Sequence, residues 1–380
     1  ERSVDETAVD MGRDEGAYRK LMTPFVEQFQ TFAAAALGPA RLPAAPWLLA
    51  RFGLRSIWSI RTLARAVFRG RDAPALLAGI AAHSMLRLET PGSAALGLLL
   101  GIAGHAVGWP LARGGSQSIT DALVRRLTTR GGQVINSWTV TSMRDVPAAS
   151  VYLFDVTPRQ LCAIAGDKLP QTYLRRLGRY RYGPGVFKLD YALRAPIPWR
   201  NAECARAATV HLGGTLEQLS ESERAVHEGR LSERPFVLLI QPTLFDPSRA
   251  PPDRHIAWAY CHVPHGSEID ARPAIEAQIE RCAPGFKDVV LACSARTARD
   301  MERYNPNYIG GDINGGAADL AQLFTRPVVR ADPYSTPAPD VFLCSSSTPP
   351  GGGVHGMCGY WAARSALRRV FELPVPIAVE

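Results

Sequence analysis

The chain has 380 residues, 46% of them hydrophobic, with 43 basic and 35 acidic side chains and a net charge of +8. That length suits about two domains or one large one, and that apolar share excludes a disordered chain. The positive charge is almost all arginine and is scattered, which describes a solvated surface and no nucleic-acid partner.

The opening, ERSVDETAVDMGRDEG, is acidic and polar, unlike a secretory signal. Residues 15–37 place Tyr18, Leu21, Met22, Phe25, Phe29 and Phe32 at helical spacing, with Gly38-Pro39 as the stop. Residues 46–69 repeat the pattern, and 74–88 and 93–109 are also predicted helical. The last of these, SAALGLLLGIAGHAVGW, falls short of the ~20 apolar residues a membrane span needs. It predicts a buried helix or one wall of an apolar cavity.

At Gly114-Gly115 the pattern changes. SITDALVRRLTTR predicts a helix, VINSWTVTSM a strand, and VYLFDVTP a second strand closed by Pro158. From about 185 to 296 the period is two: GVFKLDYALR, PFVLLIQPT, HIAWAYCHVP and DVVLACSA are strands, with AIEAQIERCAP a helix between the last two. VFLCSS (341–346) is a buried strand, and 354–369 is the last helix. Together the elements predict an α/β chain carrying a broad mixed or antiparallel sheet.

Two glycine-rich stretches stand out. In SSSTPPGGGVHGMCGY, Gly351, Gly353 and Gly356 match G-x-G-x-x-G, with a strand before and a helix after. A dinucleotide fold built on that turn needs a further strand with an acid about 20 residues on, and the sequence has no room for one. The stretch therefore predicts a helix entrance stripped of side chains so that a flat ligand can reach backbone donors. YNPNYIGGDINGGAADL (304–320) lies close before it, and a ligand shared between the two is the natural expectation.

Other candidates carry less. Cys261 and His262 are neighbours on a strand and point to opposite faces, so they cannot share an ion. His355 and Cys358 could pair as base and nucleophile, yet a packing role is the simpler reading. His83 and His105 sit in apolar helices as core histidines, and Lys188 with Asp190 marks a polar sheet face. The seven cysteines form no C-x-x-C pair, which points to reduced thiols and a cytoplasmic location.

The segment DLAQLFTRPVVRADPYSTPAPDVFLCSSSTPPGGGVHGMCGYWAARSAL resembles the C-terminal signature of the phytoene desaturase-like flavoproteins, a group similar in fold to monoamine oxidases. GGSQSITDALVRRLTTRGGQVINSWTV, GPGVFKLDYAL, ATVHLGGTLE, AWAYCHVP and YNPNYIGGDINGGA resemble other stretches of that family. The resemblance implies a Rossmann-type FAD-binding domain, incomplete at its N-terminus, interleaved with a substrate domain of mixed sheet plus helices. The implied division is 1–113 (helical part of the substrate domain), 114–168 (FAD-domain segment), 169–300 (substrate-domain sheet) and 301–380 (C-terminal FAD-domain segment).

Carried over residue by residue, the resemblance puts Ser346 near the ribityl chain. It puts Gly352, Gly353, Val354 and His355 along the flavin ring, Val140 at the adenine, and Asp155 and Thr157 at the turn near the phosphates. Two departures stand out. Ser345-Ser346 occupies a place where the family often has glycine and a small or acidic residue. The family's opening strand–GxGxxG–helix has no counterpart, so the chain is expected to begin after that unit. The implied activity is hydride transfer between an apolar, isoprenoid- or carotenoid-like substrate and FAD, with peripheral membrane contact through the helical third. The alternatives are a flavin amine oxidase and a non-catalytic binding module.

Overall fold

The computed structural model describes residues 2–39 and 45–374. Glu1 of the acidic opening and residues 375–380 of the last segment lie outside the described residues.

The N-terminal third forms α1 (Val4–Asp10), α2 (Glu15–Val26), α3 (Phe29–Ala36), α4 (Pro46–Ser56), α5 (Ile60–Val67), α6 (Asp72–Ala81) and α7 (Ser93–Ala106). The predicted helix over 15–37 is two helices, parted at Glu27-Gln28, and that over 46–69 is likewise broken. There Ser59 starts α5 by accepting the Thr62 N–H, as a side-chain cap does. Next come α8 (Gln117–Thr128), β1 (Tyr152–Phe154), α9 (Pro158–Ala165), α10 (Gln171–Leu177), β2 (Gly185–Leu193) and β3 (Thr209–Leu212). They are followed by α11 (Leu216–His227), β4 (Val237–Ile240), β5 (His255–Val263), α12 (Arg272–Cys282), α13 (Phe286–Val289) and β6 (Val290–Arg296). The chain ends through α14 (Ala298–Tyr304), α15 (Leu320–Thr325), β7 (Val341–Leu343) and α16 (Met357–Val370).

The fold is mixed α/β. An antiparallel sheet runs β3-β4-β5-β2-β6, and β1 pairs with β7 in parallel. Alternation splits the large sheet into two chemically different faces. Phe187, Leu189, Tyr191, Val237, Leu239 and Cys261 pack with α12 in one core. Leu238, Ile240, Trp258 and Tyr260 face the helical layer, whose Tyr18, Phe25, Leu77 and Leu98 form a second core. A third core, from Leu161, Tyr173, Val341 and Leu343, wraps β1 and β7.

One expected strand does not form. Residues 133–142 are irregular, and Val134, Ile135 and Trp138 are exposed. A strand needs an edge to bond with, and among the described residues this segment pairs with none. Asp145 accepts the N–H groups of Thr141 and Ser142, and the Asp145 carbonyl accepts the Trp138 indole N–H. No helix among the described residues is long and apolar enough to cross a membrane.

Candidate functional site

The parallel pair positions the site. Tyr152, Leu153 and Phe154 register with Val341, Phe342 and Leu343. The Phe154 carbonyl then accepts the Cys344 N–H at 2.9 Å. Both strands thus end together, delivering Asp155 and the run from Ser345 to Gly353 side by side. A crevice beyond the carboxyl ends of parallel strands is where such sheets take ligands.

The run from 345 to 356 is held from behind by its own polar atoms. The Ser345 and Ser347 hydroxyls meet at 2.5 Å, and the Thr348 hydroxyl donates to the Ser345 carbonyl at 2.8 Å. The Cys358 thiol donates to the Gly351 carbonyl at 3.4 Å, and burial raises its pKa. Cys358 is therefore a packed thiol that anchors the glycine turn. Gly351 has φ +110°, open to glycine but not to ordinary side chains.

The second glycine-rich stretch closes on the first. Gly315 has φ +70°, and a Cβ there would stand 2.0 Å from the Ser346 hydroxyl. A Cβ on Gly352 would meet the Asn314 carbonyl oxygen at 3.1 Å. Asp312, fully buried, accepts the N–H groups of Gly183, Asn314 and Gly316 at 2.7, 2.8 and 2.9 Å. Burial still raises its pKa despite those three donors. Tyr180 donates to the Gly315 carbonyl at 2.7 Å.

The structure brings some of the expected site residues together and not others. Ser346, Gly352, Gly353 and Val354 line the passage, where Ser346 is half-buried, both glycines are exposed and Val354 is 92% exposed. Asp155 is at the same strand ends; its residue is exposed while nearby protein hems in the carboxyl and raises its pKa. Thr157 is buried one turn on, its N–H donating to Asn307 Oδ1 at 2.9 Å and its hydroxyl engaged by Gln160. Val140 lies on the irregular segment instead of a strand.

The last helix starts at Met357 rather than 354, so Val354 and His355 precede it. His355 Nδ1 accepts the Met357 N–H at 3.0 Å. Partial burial lowers the His355 pKa, which keeps the ring neutral at neutral pH. The residue is a cap on α16, not half of a helical His–Cys pair.

Several participants left little trace in the sequence. Arg326, 3% exposed, donates to the Ala317 and Ser346 carbonyls at 3.3 and 3.4 Å and so ties both glycine stretches together. Its only local mark is the Pro327 that follows. On the sheet, His262 Nδ1 meets both Glu223 carboxylate oxygens at 2.9 Å, with both side chains buried. Glu223 falls in LSESERAVH, which reads as a solvated helix face. Lys188 pairs with Asp190 and stands 5.5 Å from the Trp258 ring centroid.

No family model matches the chain. It is similar to pyridine nucleotide-disulfide oxidoreductase domain-containing protein 2 of Mus musculus, with 28% identity over 75% of this chain and 56% of that protein. The Rattus norvegicus protein of the same name is 26% identical over the same shares. The chain thus spans about half the length of the curated relatives it matches.

Among solved structures, an oxidoreductase from Methanosarcina mazei superposes with a TM-score of 0.56 at 14% identity, covering 85% of this chain and 71% of that one. A wild-type putrescine oxidase bound to putrescine gives 0.53 at 16% identity, over 92% and 74%. The chain shares the fold of these oxidoreductases.

Proposed function

We propose that this chain belongs to an FAD-dependent oxidoreductase and that the paired glycine stretches receive the flavin. The observation that carries the reading is that residues 312–317 and 345–354 meet at the ends of a parallel strand pair, where the backbone of Gly352 and Gly353 is exposed. That surface suits a flat heteroaromatic ring, because Gly352 and Gly353 leave exposed backbone that no side chain of their own covers. The start of α16 adds the positive end of its dipole, which favours negative charge nearby. The oxidoreductase relatives and fold neighbours support the same cofactor.

A bound flavin supplies hydride acceptance and donation at N5. The chain's own part is to orient and to exclude water. Ser346 and Gly352–His355 would hold the ring and ribityl chain, and Asp155 and Thr157 the turn toward the phosphates. Val140 is assigned to the adenine by resemblance alone. The sheet face bearing Trp258 and Tyr260 also carries the Lys188–Asp190 pair and packs on the helical layer, so a substrate of low polarity is proposed from the family resemblance alone.

Amine oxidation is the second reading, motivated by the amine-oxidase fold neighbours, and the near-parallel Trp258 and Tyr260 rings are where an aromatic pair could be sought. Their centroids are 6.3 Å apart at 14°, which leaves no width for an ammonium between them, and Lys188 already lies against Trp258. The neutral, isoprenoid-like substrate that the resemblance implies therefore stays the first reading.

The test is titration of FAD into the 380-residue protein, following quenching of flavin fluorescence. Saturable binding is expected, weakened about tenfold or more in Gly315→Ala and Gly352→Val, since each added side chain meets the opposite stretch. Binding indifferent to both changes would overturn the placement of the cradle. No binding at all would favour a non-catalytic binding role for this part of the molecule. Bleaching of the flavin band by a polyene but not by putrescine would separate the two substrate classes.

A further inference from the structure

At the far end of α16 lies a cavity of ≈ 380 Å³, lined by Arg330, Asp332, Ser335, Arg368 and Arg369. It is set apart from the glycine cradle. α16 has 14 residues, so its two ends stand about 20 Å apart. The cradle meets the first turn, and this cavity meets the last.

The charges around the cavity do not balance. Three guanidiniums face one carboxylate, a surplus of about two positive charges. Asp332 is already shared, since it accepts the Ser365 hydroxyl and lies 3.8 Å from Arg369. Arg368 has no ion pair among the described residues. A helix C-terminus attracts basic side chains, which accounts for part of Arg368 and Arg369. It does not account for Arg330, which comes from a different segment.

Arg330 is held in place while its donors stay underused. Its guanidinium stands 5.7 Å from the Tyr173 ring centroid, within cation–π reach. Its contacts to the Ser335 hydroxyl and the Thr336 carbonyl are both 3.4 Å, long for hydrogen bonds. Its Nε is buried with no partner. A guanidinium whose terminal nitrogens make only two long contacts, beside two further guanidiniums, matches a tetrahedral oxyanion carrying two charges.

We propose that this cavity binds a phosphate dianion. Two sources share that chemistry, inorganic phosphate and a phosphate monoester on a small molecule. The assignment does not depend on the flavin reading, because it uses none of the cradle residues.

The experiment is calorimetric titration of the 380-residue protein at low ionic strength with inorganic phosphate, with phenyl phosphate, and with acetate as a monoanion control. Saturable binding of phosphate is expected, at least tenfold tighter than acetate. Phenyl phosphate binding tighter than inorganic phosphate identifies an ester as the ligand, and equal affinity identifies the free ion. Arg330→Gln should weaken binding by tenfold or more, as should the double variant Arg368→Gln/Arg369→Gln, with circular dichroism confirming the fold. Both helix arginines are exposed, so the double variant decides the matter if Arg330→Gln fails to fold. Phosphate binding no tighter than acetate, or unchanged in the folded variants, overturns the proposal.

Discussion

Helices α7 and α8 carry the same pattern and meet opposite fates. Ala94, Leu98 and Ile102 recur every fourth residue on α7, and all three are fully buried. Ile119, Leu123 and Leu127 recur at the same spacing on α8, and they are 43%, 66% and 48% exposed. The difference lies in the surroundings. α7 packs so closely on α6 that a Cβ on Gly97 would meet the Ala81 Cβ at 2.8 Å, and Leu98 joins the core under the sheet. On α8 the apolar row stays largely exposed. An apolar period shows that a helix has a face to cover, but not what covers it.

The comparison can be broken most directly at Leu98. Leu98→Ala should cost about 2–5 kcal/mol, because the site is fully packed and cannot collapse around the lost atoms. Urea denaturation reads it, and a loss below about 1 kcal/mol would show that the helical layer is looser than its burial implies.

Acidification gives a smaller effect on the same side of the comparison. His83 and His211 join the helical layer to the sheet edge through facing Nε2 atoms 3.1 Å apart, beside Phe236. Burial lowers their pKa values to about 3 and about 4. Both rings are thus neutral in the folded state, whereas the unfolded chain protonates them below about pH 6.5. Stability should therefore be full above that pH and fall as pH drops toward 4, by about 1 kcal/mol per histidine per pH unit. Thermal melts between pH 7.5 and 5 measure the slope. A His83→Gln/His211→Gln double variant should flatten it, and an undiminished slope would place its origin elsewhere.

The smallest effect belongs to α8. Leu123→Ala should change stability by no more than about 0.5 kcal/mol, as at other exposed positions, while lowering the binding of a hydrophobic dye. A cost comparable to that of Leu98→Ala would mean that α8 is covered in solution and that the two helices are alike after all.

The candidate site was legible in part, and unevenly. The two glycine stretches were visible because glycine marks backbone that must bend or be approached, and the structure places them against each other at Gly315–Ser346 and Gly352–Asn314. Thr157 is also within reach of the strand ends, though its hydroxyl is already engaged by Gln160. The strand expected around Val140 failed because alternation needs an edge to pair with, just as the apolar row of α8 needs a surface to cover it. Arg326 and the Glu223–His262 pair stayed hidden because their roles depend on partners far away in the chain.

By itself, then, the sequence did not determine α9 to α11, α14, α15 or β3, but it did determine the helical character of the N-terminal third, the strands with one apolar side at β2, β4, β5 and β6, and where the backbone is stripped of side chains. These follow from local sterics and from periods of two and 3.6 residues. Only the tertiary structure decided which apolar faces find cover, which glycines meet, that His355 caps α16 from outside it, and that three arginines surround one cavity. Each of these depends on residues brought together from separate parts of the chain, and no local period encodes that.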